Sequence, residues 1–253
     1  MGRKPRAVSS AGFYHVVIRG NGKQLLFEDD SDRRYFLELM DRVLPAHGLT
    51  LIAWCLMDNH VHLCMRNDVD ESLDNLSEAM RSIQVAYAAR FNSKTGHVGH
   101  VFQGRFESFA IEDARYLLEV VRYIHDNPHR AGMCAMDEYP WSSYCEYLGP
   151  AVRCDTSVVL DELGGGVAGF LEYSRMGSDD FSEPVRQRHV LDEKALEVAR
   201  TVLDPVEPDA VKSLPREQRD RALRELRGAG LSVRQIVRLT GLGKNTITRA
   251  TTR

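Results

Sequence analysis

The sequence lacks any long apolar run, and no stretch approaches the roughly 18 apolar residues that a membrane-spanning helix needs. The basic residues 1–6 are not followed by an apolar segment, which argues against a secretory signal. The five cysteines form no CxxC pair, so we expect reduced thiols and neither a disulfide framework nor a zinc site. The sequence therefore predicts a soluble cytoplasmic protein.

The chain also lacks a strong excess of one charge, since its net charge is −3, but the charges are unevenly distributed. Residues 155–211 carry 13 acidic and 5 basic side chains, a net charge of −8, whereas residues 212–253 carry 11 basic and 3 acidic ones, a net charge of +8. This reversal predicts a module boundary near Lys212 and a basic tail suited to polyanions. A solvated, arginine-rich helix face is the plainer interpretation of the same tail.

Hydrophobic periodicity predicts the order β-α-β-β-α-β-α in the first part of the chain. The strands are expected at 13–19, 50–57, 60–66 and 102–111, and the helices at 31–46, 73–91 and 113–127. The last helix is expected to end at Asn127, because a residue before proline resists the helical conformation. The first six elements match the ferredoxin-like split βαβ pattern. We therefore predict an α+β fold, with a ferredoxin-like or RRM-like antiparallel sheet that carries its helices on one face and leaves the other face for a site.

A helical C-terminal extension follows. Residues 216–227, a segment capped by Ser232 and residues 244–252 are predicted helices, and a glycine turn at 241–243 precedes the last one, as in a helix-turn-helix. Its recognition helix would present residues that contact DNA. These are Lys244, Asn245, Thr246, Thr248 and Arg249. A helical cap on the main domain is the alternative.

The central motif is Asn59-His60-Val61-His62. Residues two apart on a strand share a face, so His60 and His62 present two imidazoles side by side, which is half of a divalent metal site. Two ordinary surface histidines would have the same spacing.

A second motif is Tyr123-Ile124-His125-Asp126-Asn127, in which Tyr123 and Asn127 lie one helical turn apart. A tyrosine hydroxyl, with a pKa of about 10, is a poor nucleophile unless a metal polarises its target. Asn127 can offer an amide oxygen as a third ligand. Tyr116 is the rival nucleophile, but Val120 stands where an amide would be needed. His125 is a further candidate ligand that is turned away from the Tyr123 face.

Together these motifs resemble the single-tyrosine HUH (histidine-hydrophobe-histidine) transposases, and most closely the REP-associated tyrosine transposases. The matching stretches, in order over about residues 3–147, are Tyr14-His15-Val16, Arg19-Gly20-Asn21, Leu56-Met57-Asp58-Asn59-His60-Val61-His62-Leu63, Phe102-Gln103-Gly104-Arg105-Phe106 and Tyr123-Ile124-His125-Asp126-Asn127-Pro128-His129-Arg130-Ala131-Gly132. Where many relatives have proline before the Asn-His pair, this chain has Asp58, which either shapes the turn or lies near the metal.

The resemblance implies a mechanism. The tyrosine, here Tyr123, attacks a phosphodiester of single-stranded DNA and leaves a free 3′-OH and a 5′-phosphotyrosine link. The metal ligands fall on His60, His62 and Asn127, and the metal is Mg²⁺ or Mn²⁺. The reverse attack by another 3′-OH rejoins strands without an external energy source.

The resemblance also implies a substrate, namely a DNA hairpin such as a repetitive extragenic palindrome with unpaired flanking bases. We expect phosphate contacts from Arg3, Lys4, Arg6, Arg19 and Arg105. Phe13 and Phe106 are candidates for stacking on bases, although core packing is the commoner role of such residues. Some relatives are dimers in which the tyrosine helix serves the partner's metal site, so a homodimer and a cis or trans site both stay open.

These expectations divide the chain into three parts, a transposase domain over 1–150, an acidic linker or helical extension over 151–211 and a basic helix-turn-helix-like module over 212–253. Two other functions remain as alternatives. One is a catalytically silent hairpin-DNA-binding protein or regulator, and the other is a metal-dependent nuclease that uses water in place of tyrosine.

Overall fold

In the computed structural model, the described residues are 7–69, 73–176, 195–229, 231 and 233–251. They belong to two compact units, 1–181 and 182–253. This division does not coincide with the boundaries predicted at 150 and 211. None of the described helices is long and apolar enough to cross a membrane.

The first unit contains a four-stranded antiparallel sheet. Its strands are β1 (Phe13–Arg19), β2 (Leu49–Met57), β3 (His60–Asn67) and β4 (Glu107–Ile111). Their spatial order is β2-β3-β1-β4, and each neighbouring pair is antiparallel. This order confirms the predicted ferredoxin-like α+β fold.

Two helices cover one face of this sheet, α1 (Asp30–Ala46) and α2 (Asp74–Thr95). Helix α1 begins where the Asp29 side chain accepts hydrogen bonds from the amides of Ser31 and Asp32, which caps the first turn. Both helices bury their apolar faces against alternate strand residues that point to this side, such as Val16, Leu56 and Leu63.

The predicted start of β4 at Phe102 was wrong, because the strand begins only at Glu107. Phe102 forms a single bridge with Gly20, and the Gln103 amide donates to the Arg19 carbonyl. The chain then turns at Gly104, whose φ of +78° lies in the left-handed region that glycine tolerates. That turn interrupts the β-sheet pairing between the bridge at Phe102 and the start of β4.

A third helix, α3 (Ala114–Arg130), packs on the opposite face of the sheet, which the first six elements had left open. The expectation that α3 ends at Asn127 was wrong, because the helix continues through Pro128. Proline removes one amide donor, but the next turn still closes through a 3.0 Å hydrogen bond from the Ala131 amide to the Asn127 carbonyl. Asn127 therefore lies inside a continuous helix.

Two short helices, α4 (Ser157–Leu163) and α5 (Gly166–Arg175), contribute Val159 and Phe170 to the core beneath α3. These helices fall in the stretch predicted as an acidic extension, yet their apolar faces belong to the first unit.

The second unit is helical in its described residues. It contains α6 (Ala195–Leu203), a 3₁₀ segment (Pro208–Ser213), α7 (Arg216–Gly228), α8 (Val233–Thr240) and α9 (Lys244–Thr251). All of them contribute to one apolar core. Ser232, the predicted cap of α8, lies outside the described residues. Gly241, with φ of +69°, makes the turn before α9, as expected from the sequence.

Candidate active site and DNA-binding surface

The two histidines of the HxH motif lie on the face of the sheet that α3 covers. In the register of β1 and β3, Arg19 is opposite His60 and Val17 is opposite His62. The imidazole centroids of His60 and His62 are 4.9 Å apart and their planes are nearly perpendicular, at 87°. The alternation of strand residues thus places both imidazoles side by side, as the spacing predicted.

His60 is held as a neutral imidazole with a defined tautomer. Its Nδ1 lies 2.7 Å from Oδ1 of Asn59, and because a carbonyl oxygen only accepts, Nδ1 carries the proton and Nε2 keeps a lone pair. Burial, followed by the charge of Arg19, lowers the pKa of His60 to about 4, against an opposing hydrogen bond with the Asn127 side chain. His60 is therefore ready to bind a cation at neutral pH without first losing a proton.

His62 is fully buried, and its Nδ1 lies 3.0 Å from Nε2 of His15 on the neighbouring strand. Burial first, and then the neighbouring His60, His15 and Arg19, hold the pKa of His62 well below its ordinary value. This imidazole is also neutral at physiological pH.

Helix α3 brings Tyr123 and Asn127 to these histidines. The Tyr123 ring lies 5.5 Å from the His62 ring in an edge-to-face arrangement. Nδ2 of Asn127 donates a 2.8 Å hydrogen bond to the Tyr123 carbonyl, and the Asn127 side chain also interacts with His60. Both residues are buried.

The rival residues lie elsewhere. Tyr116 is half-buried and packs at the edge of the core under α3. His125 points away from the site, as expected. Its Nε2 lies 2.8 Å from Oγ of Ser143, and the rings of Tyr144, Tyr147 and Phe170 surround it.

Two further residues at the site were not predicted as site residues. One is His15, which contacts His62. The other is Arg130, whose guanidinium carbon lies 5.4 Å from the centre of the Tyr123 ring. Both positions have a sequence signal. Residue 15 shares a strand face with residue 19, and residue 130 is two helical turns after Tyr123.

Asp58, the departure from the family pattern, shapes the turn. Its Oδ1 forms a 2.5 Å ion pair with Arg33 on α1, and its carbonyl accepts the Leu26 amide at 2.7 Å. The carboxylate is thereby engaged with α1, and it acts on the pKa of His60 only as the weakest of four influences, after burial, Arg19 and Asn127.

The donor set fits a divalent cation. Within the described ranges there is no group of three or more histidine, cysteine, aspartate or glutamate side chains that could hold a metal. The site instead brings two neutral imidazoles together with the side-chain amide of Asn127. Amide oxygens suit Mg²⁺ and Mn²⁺, whereas imidazoles favour Mn²⁺ over Mg²⁺.

The predicted DNA contacts occupy separate places. Arg19 is half-buried beside His60, and Arg105 is exposed on the segment before β4. Arg3, Lys4 and Arg6 lie outside the described residues. Phe106 is buried in one core of the first unit, and Phe13 is partly buried against the other.

In the second unit, α9 presents a polar face. Lys244, Asn245, Thr248 and Arg249 are exposed and Thr246 is half-buried, whereas Ile247 and Ala250 belong to the core. This alternation leaves one side of a short helix available for a ligand.

Comparison with known proteins matches part of the first unit to a family. The family described as "Transposase IS200 like" matches residues 8–127. No curated protein matches the chain. Similar solved structures include that of the REP-associated tyrosine transposase bound to a REP hairpin, at 17% identity over 62% of this chain and 96% of that chain, with a TM-score of 0.48. Another is a candidate transposase from Deinococcus radiodurans R1, at 15% identity over 53% of this chain and 99% of that chain, with a TM-score of 0.34.

The family match covers all four strands, α1, α2 and the Tyr123–Asn127 turn of α3. The domain of this chain over residues 8–127 thus belongs to the IS200-like transposase family.

Proposed function

We propose that the protein cuts and rejoins single-stranded hairpin DNA, with Tyr123 as the nucleophile and His60, His62 and Asn127 as the ligands of Mg²⁺ or Mn²⁺. The observation that carries this proposal is the convergence of the two motifs. Tyr123 contacts the His62 ring, and Asn127, one turn later, contacts His60.

The chemistry is a transesterification. The Tyr123 oxygen attacks phosphorus, the P–O3′ bond breaks, and the downstream strand stays on the enzyme as a 5′-phosphotyrosine. The phenol gives up one proton and the leaving 3′-oxygen takes up one, so the step is balanced and reversible. A bound divalent cation would supply charge stabilisation at the scissile phosphate.

The chain's own residues prepare this step. Two positive charges lie at the site, Arg130 over the ring face of Tyr123 and Arg19 opposite His60 at the end of β1. Cationic groups fixed where negative charge develops stabilise the transition state, and a partly dry site strengthens them. Burial of Tyr123 between α3 and the sheet limits the access of water to the covalent link.

Single-stranded hairpin DNA is proposed as the substrate because the ordered motifs resemble those of REP-associated tyrosine transposases. Arg105, together with Arg3, Lys4 and Arg6, would contact phosphates, and the exposed face of α9 would add DNA contacts. Assembly as a homodimer remains a prediction from the same resemblance.

The test is covalent capture of a hairpin oligonucleotide labelled at its 3′ end, taken from repeats near the gene, with Mn²⁺ on a denaturing gel. We expect a labelled band at protein mass that disappears with chelator and in Tyr123→Phe. Tyr116→Phe is the matched control and should retain the band. Binding without any covalent band would support a silent DNA-binding protein, and cleavage that survives Tyr123→Phe would support a nuclease that uses water.

A further inference from the structure

His15 makes a buried contact with the proposed metal ligand His62. On the strand pair β1 and β3, His15 is opposite Cys64 and His62 is opposite Val17, so the two histidines are diagonal neighbours on one face. Their rings are stacked, with centroids 5.3 Å apart and planes at 25°, and Nε2 of His15 lies 3.0 Å from Nδ1 of His62. Both side chains are fully buried.

This contact involves one shared proton. Full burial disfavours the charged imidazolium, so both rings are neutral and each carries one N–H. The bond needs a proton on one side only. Either His62 donates from Nδ1 to His15, or His15 donates from Nε2 to His62.

The two arrangements differ in whether Nε2 of His62 carries a proton. When Nδ1 of His62 carries the proton, its Nε2 has a lone pair that can bind a cation. When His15 is the donor, Nε2 of His62 is protonated and cannot be a ligand. In His60 the proton is on Nδ1, because the Asn59 oxygen that contacts this nitrogen only accepts.

We propose that His15 is a positioning residue that accepts the Nδ1 proton of His62 and so holds His62 in the metal-binding tautomer. The inference rests on the proposed metal site. Nδ1 of His15 has no hydrogen-bond partner among the described residues, so no other group dictates which His15 nitrogen is protonated. His15 can therefore carry its own proton on Nδ1, which leaves its Nε2 to accept the proton of His62.

The test is the affinity of the full-length protein for Mn²⁺, measured by electron paramagnetic resonance of the free ion. His15→Phe should weaken binding by about 10- to 100-fold, as loss of such outer partners does elsewhere. His15→Gln restores an acceptor oxygen and should recover most of the affinity. His125→Phe removes another fully buried neutral histidine, one that contacts Ser143, and should bind as the wild type does.

Two outcomes separate this inference from the function on which it rests. If the wild type shows no Mn²⁺ site that His60→Ala abolishes, the proposed metal site is wrong and the role of His15 falls with it. If that site exists but His15→Phe keeps wild-type affinity, only the inference about His15 is overturned.

A spectroscopic measurement on the wild type decides the matter even if His15→Phe does not fold. With ¹⁵N-labelled histidine and no metal present, nitrogen–proton correlation spectra should show the His62 proton on Nδ1. A proton on Nε2 of His62 in the metal-free protein would overturn the proposal. Melting temperatures of all variants, measured without metal, distinguish lost affinity from lost folding.

Discussion

Burial governs the chemistry of the histidines in the first unit. His15, His62 and His125 are fully buried, His60 is half-buried, and in each case desolvation is the largest cause of a lowered pKa. Burial favours the neutral imidazole because a charged ring loses its hydration. The same effect that keeps His60 and His62 ready to bind a cation makes the fold sensitive to acid.

The sensitivity to acid can be tested at His125, which takes no part in the proposed site. Burial lowers the pKa of His125 from 6.5 to about 3. The unfolded chain therefore binds a proton between these values that the folded chain does not, and the free energy of unfolding falls as pH drops below 6.5. In His125→Phe this dependence should weaken by up to about 1.4 kcal/mol per pH unit between pH 6 and 4, measured by urea unfolding.

Surface histidines provide the comparison. His100 is exposed on the segment between α2 and β4, so His100→Gln removes one histidine without altering the core. The pH dependence of that variant is the reference for His125→Phe. An equal effect of His125→Phe and His100→Gln would contradict the role assigned to burial.

At the scale of elements, strand patterns predicted more than helix ends did. Alternation in β1 and β3 predicted that His60 and His62 share a face, because side-chain direction in a strand is fixed by the backbone. The position of α3 could not be predicted in this way. Its placement depends on apolar contacts with residues far along the chain, such as Val159 and Phe170, and periodicity carries no information about partners.

Expectations based on neighbouring residues in the sequence also failed where contacts in the folded chain offset the local preference. The residue before Pro128 was expected to leave the helix, but the following amides close the turn and the Asn127 side chain bonds back to the Tyr123 carbonyl. His15 and Arg130 were missed as site residues for a related reason. Their strand and helix faces were predictable, but their partners depended on how α3 docks on the sheet.

The start of α3 offers a prediction at this scale. The Asp113 side chain accepts a 2.8 Å hydrogen bond from the Tyr116 amide and caps the helix that carries Tyr123. Asp113→Ala should lower the free energy of unfolding by about 1 kcal/mol, because a helix-end amide loses its acceptor. Asp113→Ser keeps an acceptor and should lose much less. Chemical denaturation measures both, and equal losses would show that the cap hydrogen bond is not the cause.

For the whole molecule, apolar faces define the units better than charge does. The acidic stretch 155–211 looked like one segment by composition, yet Phe170 belongs to the core of the first unit and Leu203 to that of the second. Net charge is a property of surfaces, whereas a compact unit is defined by the apolar residues it buries. Sequence charge therefore predicts a basic module but carries no information about where the core of a compact unit begins.

The second unit predicts how DNA affinity depends on salt. If the exposed face of α9 contacts phosphates, Arg249→Gln should reduce the slope of log affinity against log salt concentration by about 0.7 to 0.9, since each contact releases one condensed counterion. Lys244→Gln should add a similar reduction. Fluorescence anisotropy with a labelled hairpin, titrated at several salt concentrations, measures both slopes.

Arg200→Gln is the matched control, because Arg200 is also exposed, lies in the same unit on α6 and pairs with Glu207. It removes the same charge from a different helix. If only Lys244→Gln and Arg249→Gln reduce the salt slope, the DNA contact is assigned to α9. A general electrostatic attraction between DNA and the unit would be reduced equally by all three substitutions. Unchanged slopes in all three would leave α9 as part of a helical cap, and covalent capture by Tyr123 at saturating DNA should be unaffected in every case.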